Sequence, residues 1–348
     1  MFSSPILKST AVNTNTTAFP FKLSALSFQL SALSLISLTV LASCAAPSPA
    51  PETPTQASPS AGSNEVDVQQ PKTSQPVVAD LARGGRLYDN WASEKGLKDV
   101  FTADSSKTPS LDGVGGPNKN GTLNDGSGQP LANSGHDYRL KNLFGWDMRG
   151  KAGIYGPDMQ NKSFVLDINL LSDTKSEAEL VAWLKAGDAQ LPAFGAMLDD
   201  ADLRDVAAFI VAVRTHALPQ PTDVFALDAK APKNYQLLVG ADVKRGASTF
   251  QARCAECHGA AGNEFLIDDV ETAGSLSRSS GYEIWLKIMN GHPGSSMGPQ
   301  LGKADGSGAE QGRLILDVLA ALCDRTVFVK GTGDDVADGD ARCGAYLK

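Results

Sequence analysis

Five consecutive residues, Cys254-Ala255-Glu256-Cys257-His258, restrict this chain more than any other feature. The two-residue gap presents both sulfurs along one edge of a porphyrin. The histidine directly after the second cysteine rises to the iron from the same side, so C-x-x-C-H reads as a site of covalent haem attachment. The residues before it, VKRGASTFQARC, carry Val243 and Phe250 among apolar positions at helical spacing, so the motif closes a helix. Gly259 then lets the chain turn away tightly. Two other chemistries use paired cysteines. A zinc site needs a second ligand pair at similar spacing, and Cys323 and Cys343 are isolated from each other. A redox dithiol opens a helix within a βαβ pattern, and no such pattern is evident.

The chain has 348 residues, enough for about two domains with room for a tail or linker. Its net charge of -8 argues against nucleic-acid binding, which wants a basic face. The five cysteines are Cys44, Cys254, Cys257, Cys323 and Cys343, an odd count that needs explaining.

Cys44 is explained by the N-terminus. Residues 23–43 are uncharged and largely apolar, Lys8 and Lys22 precede them, and they end in Leu41-Ala42-Ser43-Cys44. A basic lead, an apolar run and small residues before a cut site make a secretory signal. A run of about 20 apolar residues is also long enough for a transmembrane helix. Small residues followed at once by cysteine resemble the bacterial lipoprotein signal, which implies cleavage before Cys44 and acylation of its thiol. Residues 44–79 are dominated by Pro, Ser, Thr, Ala and Gln and read as a disordered tether. The expected location is the periplasmic side of a bacterial membrane, lipid-anchored, with the outer membrane favoured.

A second axial ligand is sought downstream of His258. Met297 sits in the irregular stretch Gly294-Ser295-Ser296-Met297-Gly298-Pro299, after the short helical run YEIWLKIMN. Met289 falls inside that run and reads as core. His292 is the rival, since imidazole also binds haem iron. Met297 is the expected ligand; His/Met ligation fills both axial positions and raises the reduction potential.

These features together carry a family resemblance. Residues 243–322 resemble the C-terminal domain of bacterial two-domain, dihaem c-type cytochromes. In those proteins the haem motif ends a helix, a Trp-bearing helix follows (here Ile284-Trp285-Leu286-Lys287), and then comes a G-x-P-G-x-x-M-like loop. That loop is matched by Gly291-His292-Pro293-Gly294-Ser295-Ser296-Met297, and a last helix by GRLILDVLAALC. The match places Met297 at the family's axial methionine.

Residues 80–217 resemble the N-terminal domain of the same family, from ARGGRLYDNW to LPAFGAMLDDADLRDVAAFIVAVR. In the latter segment Leu203, Val206, Ala207, Ile210 and Val213 define a buried helical face, with Asp199, Asp200 or Asp202 as the cap. Against the family's first haem segment, Leu140 and Leu143 of RLKNLFGWDMRG stand where the cysteines belong and Phe144 where the histidine belongs. Leu191 stands where a methionine often sits. The resemblance therefore implies a lobe that kept the fold and lost its haem. An empty haem pocket is a costly cavity, and these four apolar side chains supply bulk to fill it. Non-covalent haem on His136 is the weaker alternative, because the surrounding stretch is polar and Gly-rich.

Residues 218–236 read as a partly ordered linker, and residues 237–348 as the haem-bearing domain. Cys323 and Cys343 are expected to pair, since export places them in an oxidising compartment. Asp334, Asp335, Asp338 and Asp340 lack the regular spacing and terminal Glu of a calcium loop and read as a solvated acidic tail.

The expected fold class is mainly α, with two cytochrome c-like helical domains after the lipoprotein tether. The expected function is single-electron transfer outside the cytoplasm by one haem c, with redox proteins as partners and no nucleic acid. The alternatives are an electron-accepting or catalytic cytochrome subunit of an oxidoreductase complex, for example in sulfur-compound oxidation, and a haem-based gas sensor.

Overall fold

In the computed structural model the chain is mainly α-helical, and its descriptions cover residues 78–96, 122–124, 130–132, 139–154, 165–188, 191–267 and 269–348. The signal, Cys44, the tether up to residue 77 and His136 lie outside the described residues.

The N-terminal lobe starts with α1 (Leu81–Glu94), whose first turn is closed by Asp80 accepting from the Arg83 amide at 2.9 Å. A short helix α2 (Leu140–Phe144), α3 (Glu177–Ala186) and α4 (Asp200–Arg214) follow. Strands β1 (Thr122–Asn124) and β2 (Pro130–Ala132) pair antiparallel in between. The caps are local in origin. Asp199 accepts from the amides of Ala201 and Asp202, and the Asp202 side chain reaches back to the Asp199 amide, a reciprocal box. Ser176 and Glu179 make the same box on α3.

The apolar face foreseen on α4 is fully buried: Leu203, Val206, Ala207, Ile210 and Val213 have no exposed surface. It packs on α1, where Leu87, Tyr88 and Trp91 are also buried. Each buried Leu, Val or Ile among them contributes about 1.5–3 kcal/mol on leaving water. Arg83 stitches the two helices by reaching Asp202 and Asp205.

The C-terminal lobe contains α5 (Val243–Arg253), a single turn α6 (Ala255–His258), α7 (Ala273–Asn290) and α8 (Gly308–Leu322). α5 crosses α8 closely, because Gly246 has no Cβ to collide with the Asp317 backbone. The helix anticipated at YEIWLKIMN extends further toward its N-terminus than the apolar spacing indicated. It begins at a Thr272 cap and bends at Ser280, and its first two turns are mostly Ala, Gly and Ser, with Leu276 and Arg278 between them. Met289 is core, as expected.

The linker is a structural element in its own right. Strands β3 (Phe225–Leu227) and β4 (Tyr235–Leu237) pair antiparallel, with Phe225 opposite Leu237. Phe225, Tyr235, Tyr282 and Trp146 form a chain of ring contacts with centroids 5.3, 5.5 and 5.8 Å apart. That burial of aromatic surface ties the linker to both lobes.

The sulfurs of Cys323 and Cys343 are joined, with Cα atoms 5.9 Å apart. The acidic tail is less solvated than its composition indicated. Asp335 holds the fully buried Arg278 guanidinium at 2.6 and 2.8 Å, and Asp340 pairs with Arg342 at 2.8 Å. A buried guanidinium needs a carboxylate beside it, and the tail supplies one. Burial resists the Asp335 charge, but the Arg278 hydrogen bonds win and hold its carboxyl below the usual range.

Candidate functional site

Cys254, Cys257 and His258 stand on one turn at the end of α5. The Cys254 carbonyl accepts from the amides of Cys257 at 3.2 Å and His258 at 2.9 Å, which fixes all three side chains on a helical frame. Gly259 leaves that frame at φ +77°, and the His258 carbonyl accepts from the Glu264 amide at 3.0 Å. The chain thus folds back and sets the Phe265 ring edge-on to the imidazole, centroids 5.9 Å apart.

Cys254 and Cys257 are free thiols, unlike the joined pair at 323 and 343. Burial pushes the Cys254 thiol up to about 11, so it stays protonated. Among the described residues, no three His, Cys, Asp or Glu side chains gather into a metal-holding group. Burial lowers the proton affinity of His258 and so favours the neutral imidazole, the form that can bind a metal. Its Nδ1 is buried without a hydrogen-bond partner, as is Nε1 of the fully buried Trp285 on α7.

Met297 is half-buried in an irregular loop after α7. The loop closes on itself: the Met297 carbonyl accepts from the His292 amide at 2.9 Å, and Ser295 Oγ accepts from the Met297 amide at 3.2 Å. Gln300 anchors the far end by donating its amide to the Ile288 carbonyl at 2.9 Å. His292 lies in the same loop but is more exposed than Met297, with Nδ1 beside the Pro293 carbonyl at 3.1 Å.

The Cys254–His258 turn and the Met297 loop are far apart in sequence, and Arg253 joins them. It donates to the Gln300 carbonyl at 2.7 Å and grips Asp305 at 2.6 and 3.0 Å. This link had no sequence signal beyond a basic residue next to the first cysteine.

In the N-terminal lobe, Leu140, Leu143, Phe144 and Leu191 are all buried in the core. Phe144 packs on Trp183 with centroids 5.6 Å apart, and the Leu143 carbonyl accepts from the Leu166 amide at 2.7 Å. Lys141, between the two leucines, turns inward to Asp89 and lies 3.7 Å over the Trp146 ring. Nothing in the sequence pattern singled out Lys141, Asp89 or their second cation Lys287.

Among the described residues no helix is long and apolar enough to cross a membrane. No protein-family model, curated protein or solved structure matches the chain.

Proposed function

We propose that this chain is a membrane-tethered c-type cytochrome that carries single electrons on the periplasmic side of a bacterial membrane. Cys254 and Cys257 would hold one haem covalently, and His258 and Met297 would be its axial ligands. The observation that carries this reading is the pair of free thiols beside a half-buried imidazole on one helical turn. The residues fit haem in a second respect. A buried ring nitrogen of His258 itself, Nδ1, lacks a partner. Such an atom costs about 1–3 kcal/mol unless a bound group relieves it.

Haem supplies an iron that gains and loses one electron. The protein's own residues do the rest. α5 presents the thiols and imidazole together, and Arg253 holds the Met297 loop to the same end of the lobe. With His258 and Met297 both held by the iron, no position would be left open, which would suit electron carriage rather than catalysis or gas sensing.

The N-terminal lobe, with Leu140, Leu143, Phe144 and Leu191 packed in its core, is read as a cytochrome c-like domain without haem. Cys44 is read as the lipid attachment point, in the outer membrane by preference, and redox proteins as the partners.

A pyridine haemochrome assay should give one haem per chain, and the double variant Cys254→Ala, Cys257→Ala should retain none covalently. Met297→Ala should abolish the weak absorption at the red end of the spectrum that reports sulfur ligation. Loss of that band in His292→Ala instead reassigns the ligand, and two haems per chain contradicts the account of the first lobe. Mass spectrometry of the mature N-terminus should find a lipidated Cys44; an intact residue 1 removes the anchor.

A further inference from the structure

The loop carrying Met297 is not held by its own lobe alone. α1 of the N-terminal lobe runs against the end of α7 and the start of the loop. The Arg86 guanidinium donates to the Asn290 carbonyl at 3.0 Å, at the last residue of α7. The same guanidinium is held by both oxygens of Glu94 at 3.0 Å, and Glu94 also accepts from the Gly294 amide at 3.4 Å. Two glycines make the approach close. A Cβ on Gly85 would lie 2.2 Å from the Asn290 side chain, and one on Gly294, at φ +68°, would lie 2.5 Å from the Ser93 carbonyl oxygen. The loop is thus gripped on one side by α1 and on the other by Arg253.

We propose that α1 is a brace for the Met297 loop, with Arg86 and Glu94 as positioning residues for the iron's sulfur ligand. The proposal rests on the reading of Met297 as that ligand, and it gives the haem-less lobe a task. A thioether is a neutral donor with no charge to draw it to the metal. Its coordination therefore depends on a loop already held in the bound geometry. Arg86 and Glu94 touch no iron ligand themselves; they fix the backbone on either side of His292.

The test uses the full-length holoprotein and four variants beside Met297→Ala: Arg86→Ala, Arg86→Lys, Glu94→Gln and, as a control within the same lobe, Val206→Ala. Three signals are followed: the sulfur-ligation band, carbon monoxide binding by the reduced protein, and deuterium uptake at the His292 and Gly294 amides. Loss of one charge-assisted hydrogen bond predicts about a tenfold rise in carbon monoxide affinity for Arg86→Ala. The band should weaken and both amides exchange faster; Glu94→Gln should act in the same direction and Arg86→Lys should restore part of the loss. Val206→Ala should lower the melting temperature and leave all three signals unchanged.

If Arg86→Ala and Glu94→Gln match the wild type in all three signals while Met297→Ala loses the band, the brace is overturned and the ligand assignment stands. Equal movement in Val206→Ala also overturns it, since general loosening would then suffice. If Met297→Ala keeps the band, the ligand assignment falls and the brace with it.

Discussion

Arg253 and Asp305 meet through two hydrogen bonds, at 2.6 and 3.0 Å, and the same guanidinium donates to the Gln300 carbonyl at 2.7 Å. The residue immediately before Cys254 is thereby tied to the segment that follows Met297. The Arg253 hydrogen bond holds the Asp305 carboxyl below its usual range, against a small burial effect.

Arg253→Ala should lower stability by about 1 kcal/mol, a modest value because the guanidinium is partly solvated. Guanidinium chloride melts of Arg253→Ala, Asp305→Asn and the double variant should show non-additive losses. Strictly additive losses would mean that the pair contributes nothing as a pair.

Asp89 is buried between two cations, Lys141 from the N-terminal lobe and Lys287 from α7. Burial alone would raise its pKa, but the two lysines outweigh it and hold the carboxyl well below its unfolded value of 3.8. The stabilisation is therefore complete above that value and is lost as pH falls toward the folded pKa. Asp89→Asn should cost about 3–5 kcal/mol at neutral pH, since Lys141 and Lys287 lose the carboxylate that bridges them. In a pH series of urea melts, the gap to the wild type should narrow below about pH 4. A gap that stays constant through acid would exclude the ionised carboxylate as its source.

Phe144 fills the core of the N-terminal lobe against Trp183. Phe144→Ala should destabilise by about 3–5 kcal/mol through the cavity it leaves. Haem content should not change. A drop in haem stoichiometry would show that this lobe takes part in binding it.

Cys323 and Cys343 close a loop over a sequence separation of 20. Replacing both by serine should cost about 3 kcal/mol. Thiol titration of denatured, unreduced protein should detect neither residue, and recovery of both as free thiols would refute the pairing.

Much of the helical lobe structure was legible locally. The α4 face at Leu203, Val206, Ala207, Ile210 and Val213 repeats at helical spacing, and the aspartates at its start announce a cap. The start of α7 was not legible, because its first two turns carry Ser, Gly and Arg rather than an apolar stripe. Their burial comes from the C-terminal tail folding over them, with Asp335 meeting Arg278 across 57 residues of sequence. Asp334 and Asp338 are exposed, as expected, whereas Asp335 and Asp340 are drawn in beside arginines, which composition does not announce.

The spacing of Cys254, Cys257 and His258 follows from the sequence alone, since adjacent residues on one helical turn need no distant partner to stand together. So do the apolar character of Leu140, Leu143, Phe144 and Leu191 and the irregular run around Met297. Only the tertiary structure decided that Arg253 reaches Gln300, that Arg86 reaches Asn290 across 204 residues, and that Asp89 sits between Lys141 and Lys287. Periodicity records which face of a helix is apolar. It does not record which other face will meet it, and single charged residues leave no local pattern before that meeting buries them.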